Sequence, residues 1–285
     1  MPRVPFQQVD VFSAVPFRGN PVAVVLDADG LTGEQMQAIA NWTNLSETTF
    51  VCTPSTAGAD YRLRIFTPKS ELRFAGHPTI GSAHAVLRHG LKPRTEGFLV
   101  QECGQGLVRL RIDGERLFLA LPKPVLRDVS AAQVKELAAA LGIAPDAVLA
   151  RALIDVGVAW ITLQLTDAEL VRRLQPDLAR IAALDSAGAV GVTVFGFAAP
   201  GLSPAMEVRS FAPAEGVPED PVCGSGNGCV ATLVRQQRLL GSASYVAAQG
   251  RCTGRDGRVE VQFDDDDSIW LGGHAVTCVD GMLQT

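Results

Sequence analysis

One local device occurs twice in this chain, and few architectures can use it twice. Arg73-Phe74-Ala75-Gly76-His77-Pro78-Thr79-Ile80-Gly81 and Asp220-Pro221-Val222-Cys223-Gly224-Ser225-Gly226-Asn227-Gly228 each end an extended stretch in a small-residue turn. Each then runs into an apolar helical pattern, Ser82 to Leu87 in the first and Cys229 to Val234 in the second. A turn with little bulk at a helix N-terminus exposes unpaired N–H groups at the positive end of the helix dipole, which suits a carboxylate or another anion. Two such ends facing each other would grip one small anionic molecule.

The segments around the two turns follow the same order. Val9 to Phe12 and Pro21 to Leu26 read as strands about the turn Arg18-Gly19-Asn20, and Thr32 to Ala40 has helical periodicity. Ser46 to Cys52 and Tyr61 to Phe66 are strand-like and lead to the first turn; Gly97 to Gln101, Leu107 to Ile112 and Leu117 to Leu121 follow it. After Pro122-Lys123-Pro124 comes an inserted helical stretch, Ala131 to Leu141, and then the order repeats. Ala152 to Leu165 gives strands, Asp167 to Ala183 one helix, and Val190 to Phe197 and Met206 to Phe211 strands before the second turn. Tyr245 to Gln249 and Arg258 to Phe263 form a hairpin pattern. The chain of 285 residues is thus expected to form two domains of one topology, 1–122 and 123–275, with about 276–285 returning to the first. A cleft between such domains is where a small ligand is commonly held.

Composition narrows the partners. Hydrophobic residues at 47% and charged residues at 19% fit a folded globular protein, and a net charge of −5 with no Lys/Arg cluster argues against nucleic acid. Met1 to Asp10 reads as a lead into a strand without the features of a secretion signal, and no apolar run approaches the ~20 residues that cross a bilayer. A cytoplasmic protein without membrane contact is expected. Six scattered cysteines without Cys-x-x-Cys or a nearby ligand-spaced His give no metal site and read as reduced.

Acid–base chemistry has one principal candidate. In Ser46-Glu47-Thr48-Thr49-Phe50-Val51, Glu47 opens an apolar strand, where its neighbours can desolvate it and raise its pKa toward neutrality. Alone it reads as a surface glutamate, but His77 and Asp220 occupy the two glycine turns, and three ionisable groups converging on one cleft indicate a working site.

Asn20-Pro21-Val22-Ala23-Val24, Asn44-Leu45-Ser46-Glu47-Thr48-Thr49-Phe50, Phe74-Ala75-Gly76-His77-Pro78-Thr79-Ile80-Gly81 and Glu219-Asp220-Pro221-Val222-Cys223-Gly224-Ser225 resemble, in order, the signatures of the PhzF family of phenazine-biosynthesis isomerase-like proteins. The resemblance runs from about Val9 to the C-terminus. It implies an α+β protein of the diaminopimelate epimerase-like fold, with two pseudo-symmetric domains, each a curled, mostly antiparallel sheet around a central helix. It also implies a homodimer that works without cofactor or metal on a small carboxylate-bearing metabolite. By motif position Glu47 would be the general acid/base, supported by His77 and Asp220, while Ser46, Ser225 and the backbone at Gly76 and Gly224 would hold the substrate.

The related two-cysteine epimerases place a thiol at each glycine turn, whereas this chain has Ala75 at the first position and Cys223 at the second. Two-thiol inversion is therefore not available. Cys223 reads most simply as a small residue filling the space of a threonine, although a helix N-terminus lowers a thiol's pKa and keeps a reactive Cys223 open. Gly224-Ser225-Gly226-Asn227-Gly228 lacks the spacing of a dinucleotide loop, and Ser225 is not in a G-x-S-x-G elbow. Asp264 to Asp267 reads as a solvated turn rather than a calcium loop. The leading expectation is a cofactor-independent isomerase; the alternatives are a thiol-dependent epimerase or lyase using Cys223, and a non-catalytic protein that binds small anions.

Overall fold

A computed structural model describes residues 3–184 and 188–285. They divide into two compact units, Met1–Ala120 with Gly272–Thr285, and Leu121–Leu271. The boundaries read from the sequence were 122 and 276.

The first unit contains β1 (Arg3–Val11), β2 (Asn20–Val25), α1 (Gly33–Thr43), β3 (Thr48–Cys52), β4 (Tyr61–Phe66), β5 (Glu71–Leu72), α2 (Gly76–Arg88), β6 (Phe98–Cys103), β7 (Gly106–Asp113) and β8 (Arg116–Ala120). The second has β9 (Val125–Arg127), α3 (Ala131–Leu141), β10 (Val148–Asp155), β11 (Ala159–Leu165), α4 (Ala168–Arg173), α5 (Leu178–Ala183), β12 (Gly191–Phe197), β13 (Met206–Ala212), β14 (Val217–Asp220), α6 (Gly224–Gln236), β15 (Ser244–Gln249) and β16 (Gly257–Phe263). The last strand, β17 (Ile269–Gln284), begins in the second unit and continues into the first.

Strand directions repeat between the units. β1 lies antiparallel to β2, β2 parallel to β3, β3 antiparallel to β4, and β4 antiparallel to β5 but parallel to β6, which is antiparallel to β7. In the second unit β10 to β16 pair in that same series. β17 runs antiparallel along β1 from Ala275 opposite Val11 to Gln284 opposite Arg3, with a bulge at Gln8/Val9, and meets β8 on its other side. That return curls the first sheet around α2.

Burial explains why α2 and α6 can occupy the middle of their sheets. A helix enclosed by strands must be apolar and slim on every face, and His77 to Ala83, Ala85 and Val86 of α2 are buried, as are Gly226 to Val234 of α6. At Gly81 a β-carbon would stand 2.4 Å from Val22 Cγ1 and 2.9 Å from Val11 Cγ2, so strands β1 and β2 approach at a distance only glycine permits. Outer helices complete the layers. Met36 and Ala40 of α1 cover Val25, Phe50 and Phe66, whose rings meet edge to face with centroids 5.4 Å apart. In the second unit, Leu137 and Leu141 of α3, Val171 of α4 and Ile181 of α5 share a core with Leu153, Leu163 and Val194.

Two expectations change. The central helices begin at Gly76 and Gly224, not at Ser82 and Cys229, so the glycine segments form the first helical turns themselves. Pro78 is compatible with this because a first-turn N–H has no intrahelical acceptor to lose. The single helix expected over Asp167 to Ala183 is two short ones. Leu174 takes extended ψ at 137°, Pro176 cannot continue an N–H ladder, and Asp177 restarts the helix by accepting from Arg180 N at 2.9 Å.

Close approach at Gly81 predicts that Gly81→Ala lowers unfolding stability by about 1–3 kcal/mol, because stiff valines must move. At Gly76 the nearest atom to an added β-carbon is Leu119 Cδ2 at 3.8 Å, so Gly76→Ala should stay within about 0.5 kcal/mol of the parent. Urea unfolding of both variants measures the contrast; equal destabilisation would contradict the packing assignment.

Candidate active site

In the first unit, the path from α1 to α2 positions Glu47. Asn44 closes α1 in the left-handed conformation at φ 54° and turns the chain toward β3. The carbonyl of Glu47 accepts from Ala23 N at 3.4 Å, which registers it against β2. Thr49 Oγ1 donates to Ala23 O at 3.2 Å and lies 2.8 Å from Ser82 Oγ, fastening the head of β3 to α2. Glu47 therefore arrives beside the first turn of that helix.

There its Oε2 stands 3.4 Å from His77 Nε2, with the two side chains only 16% and 7% exposed. Glu47 Oε2 is shielded from water and accepts no hydrogen bond among the described residues, the 3.4 Å approach of His77 being poorly aligned for one. Burial pushes the Glu47 carboxyl up from 4.5 to about 7, opposed by a hydrogen bond from Ser46. A carboxyl balanced there can both take and return a proton near neutral pH. Ala75, preceding α2, has no side-chain acceptor, so the Gly76 N–H is uncapped.

The second unit builds the matching helix end differently. Asp220 Oδ1 accepts from Val222 N at 3.1 Å, turning the chain from β14 toward α6. Cys223 caps the helix, its sulfur accepting from Gly226 N at 3.2 Å and lying 3.6 Å from Ser225 Oγ. Burial, reinforced by the charge of Asp220, drives the Cys223 thiol well above its ordinary range. Here desolvation outweighs the helix end, and the sulfur is a neutral cap at pH 7. Cys229 is also buried and donates to Ile154 O at 3.2 Å.

Ser46, Glu47, Gly76 and His77 thus gather in the first unit, and Asp220, Cys223, Gly224 and Ser225 in the second. Two residues that the sequence reading missed hold the second group. Trp160 Nε1 donates to Ser225 Oγ at 2.9 Å. Gln249, 1% exposed, accepts from Cys223 N at 3.1 Å and Asn227 Nδ2 at 2.7 Å while donating to Asp220 O at 2.9 Å. Its counterpart in the first unit is Gln101 of β6, which donates to Thr79 Oγ1 at 3.0 Å. Thr79 and Asn227 are each the fourth residue of a central helix, so the internal repeat extends to single side-chain contacts. The available signal was a glutamine in the strand after each central helix.

Among the described residues, no group of three or more His, Cys, Asp or Glu side chains is placed to hold a metal ion. No helix among the described residues is long and apolar enough to cross a membrane.

A family model described as phenazine biosynthesis-like protein, PhzC-PhzF, matches residues 9–281. The chain is 43% identical to antisense-enhancing sequence 1 of Schizosaccharomyces pombe, over 97% of each chain. It is 34% identical to the trans-2,3-dihydro-3-hydroxyanthranilate isomerase of Pseudomonas chlororaphis, over 94% of this chain and 95% of that one. Among solved structures, a PhzF-family protein of Bacillus anthracis superposes with a TM-score of 0.87 at 26% identity, covering all of both chains. The fold is the diaminopimelate epimerase-like α+β architecture anticipated from the motifs.

Burial of Glu47 has a consequence for stability. With its folded-state pKa near 7 rather than 4.5, the native protein holds this proton more tightly than the unfolded chain. The contribution is fully present below pH 4.5 and is lost as pH rises through 7, amounting to about 3 kcal/mol for a shift of that size. Glu47→Gln removes the titration. The stability of the parent relative to this variant should therefore fall between pH 4.5 and 7.5, as measured by denaturant unfolding across that range. A pH-independent difference would mean that Glu47 titrates normally.

Proposed function

The chain belongs to the phenazine biosynthesis-like PhzC-PhzF family and is an enzyme of the isomerase type, and on that premise we propose that it moves a proton within a small, carboxylate-bearing metabolite without a cofactor. The observation that carries this reading is Glu47, a shielded carboxyl brought to about 7 by burial. As its carboxylate, Glu47 takes a proton from a carbon next to an unsaturated system. The electron pair left behind shifts through that system, and protonated Glu47 returns the proton to another carbon on the same face. One carboxyl suffices because removal and return are successive. His77, with Nε2 3.4 Å from Glu47 Oε2, is assigned to positioning beside the carboxyl.

The helix end in the second unit is assigned to the substrate carboxylate. The N–H groups of Gly224 and Ser225 open α6, and the Ser225 hydroxyl adds a side-chain donor. Asp220 is assigned to the substrate's polar substituents. As a carboxylate it can accept from an amine or hydroxyl. A ring bearing a carboxylate, an amino group and a hydroxyl, as in the substrate named for the Pseudomonas chlororaphis relative, is the class that this donor and acceptor set favours.

Proton NMR in deuterated buffer tests the reading, with trans-2,3-dihydro-3-hydroxyanthranilate and a panel of cyclic and acyclic amino and hydroxy carboxylates. Double-bond migration or solvent-deuterium exchange by the parent should fall about 10²- to 10⁴-fold in Glu47→Gln; full turnover in that variant would sink the assignment. Because the Cys223 thiol is held neutral and serves as a cap, Cys223→Ser should keep activity within a few-fold. A loss as large as that of Glu47→Gln would move the chemistry to the thiol.

A further inference from the structure

The hydrogen bond between Trp160 and Ser225 has a direction, and that direction constrains what Ser225 can bind. Resting on the carboxylate assignment above, we propose that Trp160 is a positioning residue that fixes the Ser225 hydroxyl as a donor. The first turn of α6 thereby selects a carboxylate over the uncharged carboxamide of the same shape.

An indole N–H can only donate. With Trp160 Nε1 at 2.9 Å, one lone pair of Ser225 Oγ is occupied and the hydroxyl hydrogen must point away from the indole. The nearest other partner for that hydrogen within the unit is Cys223 Sγ at 3.6 Å, a weak acceptor that already takes Gly226 N. The Gly224 and Ser225 N–H groups donate to nothing else among the described residues. Three donors are then presented together. A carboxylate can share them between its two acceptor oxygens, whereas a carboxamide, with one acceptor oxygen, must turn an NH₂ group toward part of the set.

Trp160 is itself held firmly. It is 4% exposed on β11, where it pairs with Ile154 of β10 and Gly191 of β12. The indole contributes a fixed direction rather than a contact with the reacting atoms. Without it, the Ser225 hydroxyl can rotate and accept from an amide, so the loss should appear in discrimination as well as in affinity.

The test uses calorimetric titration of the full chain with 3-hydroxyanthranilate, the unreactive aromatic counterpart of the relative's named substrate, and with 3-hydroxyanthranilamide. Trp160→Phe should weaken acid binding about 3- to 10-fold, the range of one lost neutral hydrogen bond. It should also shrink the preference for acid over amide by a similar factor, and should add less than about 2-fold to Ser225→Ala because both changes break the same bond. A general packing defect would weaken both probes alike. If Trp160→Phe does not fold, β-(3-benzothienyl)alanine at position 160 keeps the ring shape and removes only the N–H.

An unchanged acid-over-amide preference in the Trp160 variants, together with a reduced one in Ser225→Ala, would overturn the role of Trp160 and leave the carboxylate assignment standing. No effect of Ser225→Ala, or no binding of the acid to the parent protein, would overturn both.

Discussion

The constraint on which the structure depends is the burial of a helix's first turn inside a sheet. The N–H groups of that turn have no intrahelical acceptor, and leaving one dry and unpaired costs about 1–3 kcal/mol. Polar side chains brace each buried helix end, and in the second unit they meet part of this cost. Gln249 satisfies Cys223 N and ties Asn227 and Asp220 O together, while Gln101 reaches Thr79 from the equivalent strand. A buried helix end supported in this way is rigid, and its remaining donors are directed rather than solvated. The proposed ligand binding and the fold therefore draw on the same groups.

Burial also sets the proton affinity of Glu47, the proposed acid/base. Glu47 could be relieved by moving toward solvent, but Ala23 N holds its carbonyl, and Thr49 holds the next turn of strand to Ser82. The carboxyl is thus kept where its charged form is disfavoured, at a cost to stability above neutral pH. A carboxyl relaxed to its ordinary value would hold its negative charge comfortably and have little drive to take a proton from carbon. The strained proton affinity is the property a proton-shifting enzyme needs.

How much of this was legible in the sequence depended on the range of each interaction. Strands such as Tyr61 to Phe66 showed their alternation directly, and Glu47, which alone read as a surface glutamate, stood out through its company with His77 and Asp220 at the two glycine turns. The helix starts were misplaced because glycine and proline in Gly76 to Gly81 read as turn residues, when Gly81 is there to admit Val11 and Val22. The break at Leu174 to Asp177 was visible in Pro176 but was outweighed by the apolar periodicity on either side. Trp160 and Gln249 were not recognisable, since they meet Ser225 and Asn227 across 65 and 22 residues and only the sheet pairing brings them together. For Cys223 the sequence left a reactive thiol open beside the simpler reading of a space-filling residue, because the field of a helix end is local and predictable while desolvation depends on everything packed around the sulfur.

The repeated frame carries unequal chemistry, and the inequality lies at two positions. At the residue before each central helix, Ala75 offers no acceptor and Cys223 offers a buried, neutral one. At the second helical residue, His77 meets a carboxyl, while Ser225 is turned by an indole. A symmetric pair of thiols would suit removal of a proton from one face and delivery to the other. Here burial brings a carboxyl of the first unit's cluster near neutrality, and the second unit's cluster offers donors and a thiol held neutral. On the proposed reading a single carboxyl handles the proton in both directions, which fits relocation of a hydrogen along a molecule and not inversion of a centre.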